Sequence, residues 1–143
     1  MAQLTGKIDT PSVDVLIKLF GAYDENINVI KKILNVEVVN INGELNFIGE
    51  EKNVELAREV VKKIVNFIIK DEQIDTGRVT YICESAKEGK LDDIDQLLND
   101  VVAVTVRGKL IKSKTVGQKK YVDAITKNTI TLSVGPAGTG KTY

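Results

Sequence analysis

The chain has 143 residues, 43% hydrophobic and 28% charged, with 20 Lys/Arg balanced by 20 Asp/Glu. This is room for one medium domain, or a small domain plus a piece of another, and enough apolar residues for a packed core. The chain has no histidine, a single cysteine and no apolar run of about 18 residues. That excludes histidine-based catalysis and zinc sites, an internal disulfide and a membrane-spanning helix within these residues.

Two further features of composition bear on setting and partners. Met1-Ala2-Gln3-Leu4-Thr5-Gly6-Lys7 lacks an apolar secretory stretch, and a lone Cys83 suits a reducing compartment; both point to the cytoplasm. The zero net charge hides a split. Residues 1–100 hold 12 Lys/Arg and 19 Asp/Glu, whereas residues 101–143 hold 8 Lys/Arg and one Asp. A basic second segment suits a polyanionic ligand and reads equally well as a solvated basic surface.

In chain order, residues 4–8 read as a short strand. Thr10 then serves as a helix N-cap with Pro11 in the first helical position, and Val13, Leu16, Ile17 and Phe20 share one face. Gly21 ends this helix. Asp24 is placed to cap a second one, with Glu25 complementing its positive end and Ile27, Ile30 and Leu34 as its buried stripe. Residues 36–39 read as a strand, Asn42-Gly43 as a tight hairpin turn, and residues 45–48 as the return strand. Residues 50–70 give the clearest helix, with Val54, Ala57, Val61, Ile64, Val65 and Ile68 on one face.

The order helix–helix–strand–strand–helix, with a short Gly-x-x-Asp link between the first two helices, resembles a KH domain. Gly21, Ala22, Tyr23 and Asp24 stand where such domains carry a Gly-x-x-Gly loop that clamps the backbone of single-stranded RNA or DNA. Here the second glycine is Asp24, whose carboxylate repels a phosphate path, and the link has no Lys or Arg. Two readings follow: a nucleic-acid grip at residues 21–24, or a KH-like fold kept for packing or protein contact. The missing glycine favours the second.

Residues 71–100 read as a helical connector. Thr76 is placed as an N-cap, and Val79, Ile82, Cys83 and Ala86 share a face, so Cys83 reads as a small core residue. Gly89 breaks this helix, and Leu91, Ile94, Leu97 and Leu98 continue in a short second one. Asp92, Asp93 and Asp95 crowd its first turn, where they complement the helix dipole rather than mark a metal site.

Residues 101–106 form a β-branched run, Arg107-Gly108 a turn, and residues 109–112 a return strand. Thr115-Val116-Gly117-Gln118 is a capping box opening a helix with Tyr121, Val122 and Ile125 on one face. Asn128-Thr129-Ile130-Thr131-Leu132-Ser133-Val134 then reads as a buried strand running into Gly135-Pro136-Ala137-Gly138-Thr139-Gly140-Lys141-Thr142. That octet fits G-x-x-x-x-G-K-[ST], the phosphate-binding P-loop. Its glycines let successive backbone N–H groups turn toward an anion, Lys141 reaches the β- and γ-phosphates, and the Thr142 hydroxyl ligates Mg²⁺.

Residues 108–125, from Gly108 through Gln118 and Tyr121 to Ile125, followed by the 135–142 octet, resemble the PhoH family of bacterial cytoplasmic P-loop ATPases. That family also has a KH-like region whose loop reads Gly-x-x-Asp before Glu-Asn-Ile, as Gly21-Ala22-Tyr23-Asp24-Glu25-Asn26-Ile27 does here. The resemblance implies an ATP-binding protein using ATP with Mg²⁺, with single-stranded RNA or a ribonuclease as partner, no membrane association, and room for an oligomer in the intact protein. It also implies that Gln118 contacts the adenine edge, a duty that competes with its capping role.

The expected fold class is α/β: a small KH-like α+β domain (residues 1–70), a helical connector (71–100), and the truncated start of a P-loop NTPase parallel-sheet domain (101–143). No catalytic residue is expected in this chain, because the Mg²⁺-binding aspartate and the water-positioning group would lie beyond Tyr143. The chain is therefore expected to be the front part of a longer ATPase linked to RNA metabolism and not to hydrolyse ATP itself. The alternative is a KH-like RNA- or protein-binding module without enzymatic activity.

Overall fold

The computed structural model describes residues 3–9, 12–98 and 101–140, in a mixed α/β chain that divides into two compact units, Met1–Asn99 and Asp100–Tyr143. The first unit runs β1 (Gln3–Asp9), α1 (Val13–Phe20), α2 (Glu25–Leu34), β2 (Glu37–Ile41), β3 (Glu44–Glu50), α3 (Glu51–Ile69), α4 (Thr76–Lys87) and α5 (Leu91–Ile94), then a 3-10 turn, Asp95–Leu98. Its three strands form an antiparallel sheet in the order β1-β3-β2. The β2–β3 hairpin turns at Asn42-Gly43, with φ of 53° and 87°. Two successive positive values are what a type I′ turn demands, and they set Ile41 opposite Glu44.

β3 takes the centre because it carries the core. Leu45 and Phe47 are fully buried, and α3 packs over β1 and β3. α3 buries Val54, Ala57, Val60, Val61, Ile64, Phe67 and Ile68. The sequence stripe omits Val60 and Phe67, because a single-faced pattern underestimates a helix that touches the sheet, α1 and α4 at once. The stripe of α2 is as expected, with Ile27, Ile30 and Leu34 buried. So is that of α4, where Val79, Ile82, Cys83 and Ala86 are all core residues.

Several local expectations are corrected. α1 starts at Val13 and is capped by Ser12, whose Oγ accepts from Val15 N at 3.3 Å; the expected Thr10 and Pro11 lie outside the described residues. Its buried position is Leu19, with Val15, Leu16 and Phe20 packed beside it, whereas Val13 and Ile17 face solvent. α4 is capped not by Thr76 but by Asp75, whose Oδ1 accepts from Arg78 N at 2.8 Å. The carboxylate, a strong acceptor next to the helix's positive end, wins over the hydroxyl one residue on.

The second unit contains β4 (Val101–Val104), β5 (Leu110–Lys112) and α6 (Val116–Lys127). β4 and β5 pair antiparallel, and the turn between them closes through Gly108 N to Thr105 O at 2.8 Å and Thr105 N to Lys109 O at 2.9 Å. No residue of α6 is buried, and Tyr121, on the apolar face expected for this helix, is 38% exposed. The buried strand expected over residues 128–134 is not formed. Ile130, Leu132 and Val134 are 80%, 89% and 98% exposed. A strand needs a neighbour to satisfy its backbone groups, and none pairs with this segment among the described residues. Both sheets among the described residues are antiparallel, in place of the expected parallel sheet. No helix among them is long and apolar enough to cross a membrane.

Candidate functional site

The 135–142 octet is described through Gly140, and these residues are exposed. Ala137 and Gly138 lie in a turn braced by Thr139 Oγ1, which donates to Pro136 O at 2.8 Å. Gly138 and Gly140 have φ of 76° and 77°, a region L side chains rarely adopt. A Cβ added to either would meet nothing within 4 Å. The two glycines therefore answer to backbone shape and not to packing. Left-handed residues alternating with ordinary ones are the pattern that lets neighbouring N–H groups converge on an anion. Lys141 and Thr142, expected at the phosphates and Mg²⁺, lie outside the described residues.

Gln118 sits in the first turn of α6. Its backbone N–H donates to Thr115 Oγ1 at 3.1 Å, and its Oε1 accepts from Lys114 N at 2.8 Å. The capping box therefore forms in both directions, with the return bond reaching one residue before the cap. Both bonds are local, so Gln118 is tied to its own helix start and not to the 135–140 loop. The segment leading to that loop folds back on α6, where Ala124 O accepts from Asn128 Nδ2 at 2.9 Å and from Thr131 Oγ1 at 3.3 Å.

In the link between α1 and α2, Gly21 N–H donates to Ile17 O at 3.0 Å and closes α1. Ala22–Asp24 form a short turn in which Tyr23 and Asp24 hold φ of 52° and 58°. Two consecutive left-handed residues that are not glycine place the fully exposed Tyr23 at the tip. The expected Asp24 cap does not form. A capping side chain reaches the helix N–H groups from extended backbone, and left-handed Asp24 is not in it. Beneath the turn lies Asn26, 1% exposed, whose Nδ2 donates to Lys18 O at 3.3 Å. Periodicity does not single out Asn26; the only sequence signal is a polar side chain beside the apolar stripe of α2.

The remaining candidates resolve as structural. Burial, with Glu84 alongside, pushes the Cys83 thiol up from 9.0 to about 12, so it stays protonated and unreactive near neutral pH. Asp95 pairs with Lys63. No group of three or more His, Cys, Asp or Glu that could hold a metal exists among the described residues.

Comparison with known proteins adds family information. Residues 110–143 match the family model described as PhoH-like protein. A PhoH-like protein of Mycobacterium tuberculosis is 33% identical over 143 residues, covering 99% of this chain and 40% of its own length. One from Bacillus subtilis is 29% identical over 130 residues, covering 91% of this chain and 41% of its own length. One from Synechocystis is 29% identical over 143 residues, covering 100% and 44%. No solved structure matches significantly. The chain thus spans about two-fifths of the length of the curated relatives it matches. With the family model matched at its basic end and relatives of the same description along nearly its whole length, the chain is similar to PhoH-like proteins throughout.

Proposed function

We propose that this chain is the N-terminal part of a PhoH-like ATP-binding protein, a cytoplasmic P-loop ATPase linked to RNA metabolism. The observation that carries this reading is the G-x-x-x-x-G-K-T octet, with left-handed Gly138 and Gly140 in open space, inside the stretch that matches the family model. In this reading Gly135, Pro136, Ala137, Gly138, Thr139 and Gly140 wrap the phosphates, Lys141 neutralises them and Thr142 holds Mg²⁺. Gln118 contacts the adenine edge; its oxygen accepts from Lys114 N and has a second lone pair for the base.

The test is ATP turnover, with and without RNA, by a protein extended past Tyr143 to the length of its relatives, as wild type and Lys141→Ala. Turnover abolished by the substitution supports the reading, and equal turnover in both overturns it. The 143-residue chain itself should show none.

A second reading has its own support. The strand–helix–helix–strand–strand–helix order, the antiparallel β1-β3-β2 sheet and the tight Gly21–Asp24 link suit a KH-like module for RNA or a protein partner such as a ribonuclease. If the link grips single-stranded RNA, Tyr23→Ala weakens binding and Asp24→Ala strengthens it, as read by fluorescence anisotropy. Binding indifferent to both substitutions removes the link from the RNA path.

A further inference from the structure

The tip of the β2–β3 hairpin holds the parts of a spontaneous reaction. Asn42 and Gly43 are its two central residues, and both are exposed. An asparagine followed by glycine can close a ring, because the glycine's backbone nitrogen attacks the side-chain amide carbon before it. Gly43 has no side chain to obstruct that approach, and a Cβ there would meet nothing within 4 Å. The chain's other asparagines precede Ile, Val, Phe, Thr or Asp, whose side chains crowd the attacking nitrogen.

In the folded hairpin that nitrogen is held back. Gly43 N–H donates to Asn40 Oδ1 at 3.1 Å. The turn adds a second restraint. Ring closure needs Gly43 N and Asn42 Cβ eclipsed about the Asn42 Cα–C bond, whereas a type I′ turn keeps ψ there near about 30°. The reaction therefore waits for the turn to open. Opening can be local, because β2 lies at the sheet edge and is held on one side only, by β3.

We propose that Asn42 is a deamidation site gated by the β2–β3 turn, with Asn40 as the latch. When the turn opens, Gly43 N gives its proton to water and bonds to Asn42 Cγ. The Cγ–Nδ2 bond breaks, and the nitrogen takes up a proton and leaves as ammonia. Water then adds to one of the two carbonyls of the five-membered imide, and that carbonyl's bond to the ring nitrogen breaks. Opening at the main-chain carbonyl gives isoaspartate, and opening at Cγ gives aspartate. Isoaspartate routes the main chain through Cβ and so lengthens the turn by one atom. The modified turn no longer sets Ile41 opposite Glu44, next to the fully buried Leu45. Deamidation thereby loosens the strand that carries the core. This inference depends on neither the ATP reading nor the RNA reading.

The test ages the folded 143-residue chain in warm, mildly alkaline buffer. The chain is then digested with pepsin at acid pH, where the nitrogen keeps its proton, and aspartate and isoaspartate are read at each asparagine by mass spectrometry. Asn42 should convert fastest, with isoaspartate the larger product. Asn40→Ala should speed that conversion by about 3-fold or more, as expected for one lost net hydrogen bond. Asn40→Asp keeps a strong acceptor for Gly43 N and should run no faster than wild type. Asp75→Ala, which removes the α4 cap and leaves the hairpin alone, should leave the rate unchanged. In denaturing urea, wild type and Asn40→Ala should convert Asn42 equally fast. Conversion at Asn42 no faster than at Asn35 or Asn128 overturns the proposal. So does a native Asn40→Ala rate equal to wild type, or an acceleration that Asn40→Asp or Asp75→Ala reproduces or that persists in urea.

Discussion

A methyl group on Gly21 would lie 2.8 Å from Asn26 Nδ2 and 3.0 Å from Asn26 Cγ. The glycine is thus held by two independent constraints: its φ of 75°, and the buried amide packed directly against it. Replacement by alanine strains the backbone and displaces the Nδ2 bond to Lys18 O. We expect Gly21→Ala to cost about 1–3 kcal/mol in urea unfolding. Gly43→Ala, with a φ of 87° and nothing within 4 Å of the added carbon, should lose the backbone component alone, about 1 kcal/mol.

The assignment of the α4 cap is separately testable. Asp75→Ala removes the acceptor for Arg78 N and should cost about 1 kcal/mol, whereas Thr76→Ala should stay within about 0.5 kcal/mol. Urea midpoints of the two variants decide it. A larger loss at Thr76 would return the cap to the position expected from sequence.

Arg78 ties the end of α3 to the start of α4. Its guanidinium lies 4.6 Å from the Phe67 ring centroid, pairs with Glu72 and donates to Gln73 O at 3.2 Å. Phe67 is fully buried. Arg78→Ala should cost about 2 kcal/mol, and Arg78→Lys should recover less than half of that, because an ammonium cannot stack and fork together. Thermal or urea unfolding of the pair measures the difference.

Cys83 sets a pH dependence. Its pKa rises from 9.0 to about 12 on folding, so between those values the folded chain keeps a proton that the unfolded chain has lost. This contribution to stability is fully present below pH 9.0 and falls by about 1.4 kcal/mol per pH unit toward pH 12. Urea midpoints should drop between pH 9 and 11, and Cys83→Ala should remove that part of the slope. At pH 8, alkylation of the native thiol should wait on unfolding.

Much of the first unit was legible because its signals are local and redundant. Asn42-Gly43 leaves little choice of turn, and the α2 and α4 stripes each bury one face against a near neighbour. The misses have a common cause. Val60 and Phe67 are buried because α3 meets three sets of neighbours, Val13 and Ile17 are exposed because nothing among the described residues of the first unit covers that side of α1, and Asp24 fails as a cap because the turn drives it left-handed. None of these is encoded in the spacing of residues along one helix. Residues 128–134 show the same limit from the other side, since an apolar run becomes a strand only beside another strand. At the candidate sites, the octet and Gln118 were readable as motifs. Asn26 was not, because its packing against Gly21 and its bond to Lys18 O arise only on folding.

The buried core of the first unit draws all its members from Leu19 through Leu97. Among the described residues, every buried side chain of that core has therefore been synthesised before residues 98–143 are added. At about 5–20 residues per second, adding residues 98–143 takes roughly 2–9 s. Mixed α/β domains of this size fold in far less time than that, on the order of milliseconds. Once clear of the ribosome the first unit can thus fold without waiting for the phosphate-loop segment to do so. A lesion in the core would expose apolar surface to the translating cell ahead of any nucleotide-dependent step.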